Sequence, residues 1–308
     1  LTDLTDRIFN ALRSLDPEIA VTAVSGVLLL LVLVWVLFCR KIPPFPKALI
    51  SGTAPQVRYY LKTGLVDPNI RDETGKTPLM VAAAFNKRPK VCAVLIKAGA
   101  DVTAKDNDGM TAFLHAAANN APVPVLNVLA KKKSVLSERN AEGQSAWGLA
   151  LSNRPKIETL KWLAAHKFNI NERDKNGMTP LMIAIEQNTP LNIVETLLDM
   201  GAHISDRAEY GITPLMLSAG RNLNPYVLLA LLEHGAGLDD RSAEGLTPLM
   251  FAAAFNPNAT EIVDVLIDCG AKISVADGEG NTALDYAKKT PRLYDTETYW
   301  RLNNLSYE

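Results

Sequence analysis

The phrase Gly-x-Thr-Pro-Leu-Met occurs in full at Gly75–Met80, Gly177–Met182, Gly211–Met216 and Gly245–Met250. Looser copies begin at Gly109, Gly143 and Gly280. The steps between these seven glycines are 34, 34, 34, 34, 34 and 35 residues. Constant spacing of this size means one supersecondary unit repeated, each unit too small to bury its own apolar face. The units must stack, so the fold is a quasi-one-dimensional solenoid without a central core. The functional question becomes which surface is held rather than which reaction is catalysed.

Each unit reads in three parts. Residues 69–76 are polar and turn-like. Thr77 suits a helix N-cap and Pro78 the first helical position, opening a short helix through Ala84. Asn86 recurs at Asn120, Asn188, Asn222 and Asn256, with Arg154 in the third slot. An Asn just past a short helix is expected to be the left-handed closing residue. A proline follows closely in each unit, and Val91 to Lys97 forms a second helix closed by Gly99-Ala100-Asp101.

This pattern resembles the ankyrin repeat, on Thr-Pro-Leu near the start and Gly-Ala-Asp near the end. The resemblance covers roughly residues 48 to 308 and implies an all-α solenoid of helix pairs with β-turn fingers. It divides the chain into a half-repeat cap at 49–72, six repeats at 75–279 and a C-terminal cap at 280–308, after a Pro-rich linker at 41–48. Two departures stand out. The period is 34 where the family has about 33, and the extra residue is expected between the paired helices. The family's His after Thr-Pro-Leu is Met80, Met182, Met216 and Met250 here. A Met is expected to fill space there and leave the stack to apolar packing. The third repeat, with Ser145-Ala146-Trp147, lacks both Pro and Met and is expected to be the softest or most specialised.

Ahead of the repeats, residues 19–39 carry no charge. About 20 apolar residues cross a bilayer core, so a transmembrane helix is expected over 17–40, with a short amphipathic helix over 1–16. That first helix lies in the interface or packs on a partner subunit. Ala20, Thr22, Ala23, Ser25 and Gly26 cluster in the N-terminal half of the span, and Thr22 with Gly26 is a small-residue pair suited to close packing. Leu30, Trp35 and Phe38 belong to the same apolar run, with Trp35 near its basic end, where interfacial aromatics sit. The flank before the run is acidic and no small-residue cleavage site follows it, which sets it apart from a signal peptide. Arg40, Lys41 and Lys47 outnumber Arg7 and Arg13. The positive-inside bias therefore puts the repeats in the cytoplasm and Leu1 outside.

The net charge of −1 gives no electrostatic footprint for nucleic acid. Cys39, Cys92 and Cys269 are too scattered for a disulfide framework, and the last two read as small core residues. The four histidines make no metal-ligand pair, and no phosphate loop or nucleophile elbow is present. Asp106, Asp108 and Asp174 read as solvated tip charges. No cofactor and no catalysis are expected.

The resemblance implies partner binding along the concave face, built from fingers and first helices. Met110, Met178, Ile212 and Leu246 follow the repeat glycines, with Tyr210 beside Gly211. They either line up as an exposed apolar stripe or fold back on adjacent fingers. Phe85 and Phe255, with Arg221 in the equivalent region, join the same candidate surface. The expected function is a membrane-anchored scaffold for a protein partner. The alternative is an accessory subunit of a larger membrane complex, docked through its bilayer helix.

Overall fold

The structure, a computed structural model, describes residues 45–153, 155–166 and 168–306. The expected amphipathic helix, the bilayer helix with Ala20 to Phe38, and Arg154 lie outside the described residues. Among the described residues no helix is long and apolar enough to cross a membrane.

Among the described residues sixteen α-helices stack in two layers. The inner layer holds α1 (Phe45–Ser51), α3 (Pro78–Phe85), α5 (Ala112–Ala118), α7 (Ala146–Ser152), α9 (Pro180–Glu186), α11 (Pro214–Arg221), α13 (Pro248–Phe255) and α15 (Ala283–Lys289). The outer layer holds α2 (Ala54–Lys62), α4 (Pro89–Lys97), α6 (Val123–Leu129), α8 (Ile157–Ala165), α10 (Leu191–Asp199), α12 (Pro225–Glu233), α14 (Ala259–Asp268) and α16 (Glu297–Leu305). Each inner helix packs on the next inner helix and on its own outer partner. The N-terminal cap is a full helix pair that starts at Phe45, so residues 45–48 are helix rather than linker.

The inner helices form where the repeat phrase demands. Thr179, Thr213 and Thr247 are extended N-caps whose hydroxyls accept from the backbone N–H three residues on. Pro follows each at the first helical position, where its missing N–H costs nothing. Met80 and Met250 do more than fill space. Their sulfurs accept from the backbone N–H of Thr77 and Thr247 at 3.3 and 3.4 Å. A thioether is a weak acceptor; at Thr247, whose hydroxyl accepts from Met250 N–H, it completes a reciprocal cap inside an apolar seam, while the buried Thr77 hydroxyl has no partner among the described residues.

The recurring Asn takes two conformations rather than one. Asn120 and Asn188 close their helices at φ 48 and 49, as left-handed residues. Asn86, Asn222 and Asn256 instead cap in the extended region. Proline spacing differs between the groups: two residues on after Asn120 and Asn188, but three after Asn86 and Asn222 and one after Asn256. The extended amides reach back into the preceding repeat. Asn256 Nδ2 donates to the carbonyls of Ala219 and Asn222 at 2.6 and 3.1 Å. Asn86 does the same with Leu49 and Gly52, and Thr290 bonds Ala253 in the C-terminal cap.

A second ladder ties the fingers. Arg71, Arg139, Arg173 and Arg207 each donate to the carbonyl of their own repeat glycine, four residues ahead. Arg71, Arg173 and Arg207 also reach the carbonyl one repeat further on. Fingers approach so closely that a Cβ on Gly109 would stand 2.8 Å from Ala141 N. Backbone bonds join successive fingers, Asn107 N–H to Thr74 O and Ala243 N–H to Tyr210 O among them. Among the described residues no such bond joins Glu142 and Lys175. The outer helices α8 and α10 also touch less than any other successive outer pair. The seam between the third and fourth repeats therefore lacks the backbone tie and is held at the finger by Arg139 and Ser145 on Glu172.

Trp147 of that third repeat is fully buried with its indole N–H unpaired. Cys92 is buried, and burial pushes its thiol up to about 12. Cys269 is exposed, not core: it caps the end of α14, where the helix has turned its apolar side away.

Asn256→Ala leaves two buried carbonyls without a donor. It is expected to lower the unfolding free energy by about 2–4 kcal/mol. Urea unfolding followed by circular dichroism measures this; a loss below about 0.5 kcal/mol would show that the amide does not hold the seam.

Candidate functional site

The fingers are built by one repeated device. Asp72 Oδ1 accepts from the N–H groups of Thr74 and Lys76, each at 2.9 Å. Asp106, Asn140, Asp174 and Asp277 repeat the pattern. These side chains staple turns, so Asp106 and Asp174 are not free tip charges. Asp106 is buried and its other oxygen lies 2.7 Å from His115 Nε2. Asp277 pairs likewise with the Tyr286 hydroxyl at 2.6 Å. That bond, before any backbone donor, holds the Asp277 carboxyl down to about 2 and pushes the Tyr286 phenol up to about 12.

The fifth finger breaks the pattern. Ala208 stands in the stapling slot and has no side-chain acceptor. There Tyr210 adopts φ 58, ψ 15, a left-handed conformation that few aromatic residues take. Its ring is 69% exposed. Strain of this kind persists where surroundings impose it and points to use.

The expected apolar stripe along the finger tips is not there. Met110 and Leu246 are only 8% and 7% exposed. Met178 and Ile212 are partly buried against the core. The chain reverses sharply at each repeat glycine, so the next side chain turns under its finger onto the inner helices. Met178 lines a small cleft beside Arg139, Ser145 and Glu172. Ser145 Oγ donates to Glu172, yet burial raises the Glu172 carboxyl above its ordinary value.

What the fold does bring together is a groove on the concave side of repeats five, six and the C-terminal cap. Tyr210, Ile212, Arg221, Leu246 and Phe255 all line it. Its volume is about 420 Å³. Phe255 is 58% exposed and packs edge-on to Phe251, with ring centroids 5.6 Å apart. Arg221 stands on the rim, 2.8 Å from Glu186, and exposed Glu244 lies on the finger side. Phe85 occupies the Phe255 slot five repeats earlier and is exposed, but lies outside this groove.

Sequence reasoning missed Leu217, Gly220, Phe251 and Tyr286, which also line it. A usable signal existed. The position after the repeat Met is Val81, Ile183, Leu217 and Phe251, and the largest side chain faces Gly220. A Cβ there would lie 3.2 Å from Phe251 Cδ1, so the glycine makes room for the ring. Chemically the groove offers an apolar floor, one cation and one anion at the edges, and two exposed rings. Such a surface holds an apolar or aromatic segment of another protein. Among the described residues no group of His, Cys, Asp or Glu could hold a metal ion.

The family described as Ankyrin repeats (3 copies) matches residues 47–139, 114–208 and 205–277, well over half of the chain. Among solved structures, the chain is similar to the ankyrin repeat domain of Bcl-3, described as a unique member of the IkappaB protein family. That likeness has 27% sequence identity and a TM-score of 0.58, and covers 74% of this chain and 99% of that one. No curated protein sequence matches the chain.

Tyr210→Gly removes the left-handed penalty of about 1–2 kcal/mol while giving up little buried surface. The variant is expected to unfold at equal or higher urea concentration than the parent, with Tyr210→Ala lower than Gly. A clear loss of stability in Tyr210→Gly would show that the finger is unstrained.

Proposed function

The chain belongs to the ankyrin-repeat family, and from that premise we propose that it is a membrane-anchored scaffold holding a protein partner in its concave groove. The ankyrin-repeat fold is a protein-interaction fold. The groove beneath Tyr210 and Phe255 carries the reading: its rings are exposed on a face otherwise made of stapled fingers and buried Met and Leu. Aromatic and Arg side chains around an apolar pocket are the usual anchors of an interface. The uncharged run at 19–39 supports the anchor. The basic residues after it support a cytoplasmic solenoid.

A second reading rests on Thr22 and Gly26, whose spacing suits close helix packing in the bilayer. In that reading the chain is a subunit of a larger membrane complex and docks through its helix.

Extraction of the tagged full chain in mild detergent, with mass spectrometry of what co-purifies, separates the two. Tyr210→Ala with Phe255→Ala is expected to reduce partner retention by at least about thirtyfold, since one anchor is worth about 2 kcal/mol. Retention unaffected by that pair but lost in Gly26→Leu would favour the subunit reading and end the groove's role.

A further inference from the structure

The solenoid is close to neutral as a whole, yet its outer face is strongly polarised. Helices α2, α4 and α6 contain Arg58, Lys62, Lys90 and Lys97 and no acidic residue. Lys131, Lys132 and Lys133 follow α6 directly. Helices α10, α12 and α14 contain Glu195, Asp199, Glu233, Glu261, Asp264 and Asp268 and no basic residue. Helix α8, between them, carries one of each, Glu158 and Lys161.

The basic side chains face solvent, and Lys132 acts electrostatically on a nearby acid, Asp101. All seven are exposed, and among the described residues none of them forms an ion pair. Of the acids in the same half, Glu138 shares a cleft with Lys133 and pairs with Lys105; others are tied up in the fingers. Asp72, Asp101 and Asp106 belong to the finger segments and are bonded to their own backbone or to Thr hydroxyls. On the acidic half, Asp264 and Asp268 are bridged by Arg301.

The basic half also has a shape. Between α2 and α4 runs an open trough of about 560 Å³. Ala54, Leu61, Ala93 and Val94 make its floor; Arg58, Lys62, Lys90 and Lys97 stand round it. An apolar floor within a ring of unpaired cations suits an amphiphile with an anionic head. Place in the chain says where that amphiphile is. Only residues 40–44 separate the apolar run from Phe45. At about 3.3–3.6 Å per residue the connection reaches no further than about 20 Å. An anchored chain therefore holds α2 and α4 beside the headgroups.

We propose that the basic outer face of α2, α4 and α6 lies against anionic phospholipid headgroups, with the trough seating a lipid. This rests on the anchored reading above. It fixes the orientation of the solenoid: basic half on the bilayer, acidic half and the Tyr210–Phe255 groove directed away from it. Each Lys or Arg at an anionic surface adds about a fivefold gain in attraction, lost at high salt.

Lysine-reactivity footprinting of the full chain tests this, on vesicles of phosphatidylcholine alone and of phosphatidylcholine with phosphatidylserine. Flotation on the neutral vesicles reports the anchor independently. The expected result is flotation with both, and Lys62, Lys90 and Lys97 at least about tenfold slower to react on the anionic vesicles only. High salt should restore their reactivity, while Lys272 should not change. Flotation with equal reactivity on both vesicles overturns the proposal and leaves the anchor standing. Flotation and shielding on anionic vesicles alone supports the basic face and removes the anchor. No flotation with either overturns both. Shielding without vesicles, rising with protein concentration, would mean that a second copy covers the face, and also overturns the proposal. The triple variant Lys62→Glu, Lys90→Glu, Lys97→Glu has only exposed changes. It should retain its circular dichroism spectrum and lose the shielding of Arg58 and Lys131 to Lys133 from tryptic cleavage on anionic vesicles.

Discussion

A solenoid has no interior apart from the seams between its repeats, so the geometry of one seam, copied, becomes the geometry of the molecule. In this chain the seam is set at two heights by side chains that reach across it. At the base, the amides of Asn86, Asn222 and Asn256 bond the carbonyl ends of the preceding inner helix. At the tip, Arg71, Arg173 and Arg207 bond their own finger and the next. Leu and Met fill the space between. The hydrophobic term supplies the drive, but it is non-directional; the polar reaches fix the angle at which repeats meet, and hence where the concave face points.

This division of labour governs what could be read from the sequence. The period, the helix pairs and the Thr-Pro start were legible because each is a local signal repeated in phase. The inner-helix N-caps at Thr179, Thr213 and Thr247 follow from that alone. The burial of Met110 and Leu246 was not legible, since two neighbouring fingers decide whether a tip residue faces out or folds under. Nor was the split among the Asn residues, although proline spacing carries it. The arginine ladder had a plain signature, a basic residue four before each repeat glycine from Arg71 to Arg241. It went unread because charged residues in turns usually signify only solvation.

The candidate groove arises where the repeated rules lapse. Ala208 cannot staple its finger, so Tyr210 is held left-handed and outward. Gly220 withdraws a side chain, so Phe251 can turn in. Neither change alone makes a pocket; together with Phe255 they open one between two otherwise regular repeats. The seam between the third and fourth repeats, which lacks the backbone tie, divides this part of the solenoid from the basic half. Opening should cost least there, which would let the groove move relative to the basic half.

The central claim is that a partner lies in the concave groove while the acidic outer face stays free. Site-specific photocrosslinking in intact cells tests it most directly, with a benzophenone side chain placed at Phe255 or, as the outer-face counterpart, at exposed Tyr226 on α12. The expected result is one discrete crosslinked polypeptide from position 255 and none from 226. Crosslinks from 226 alone would place the partner on the outer face and contradict the account.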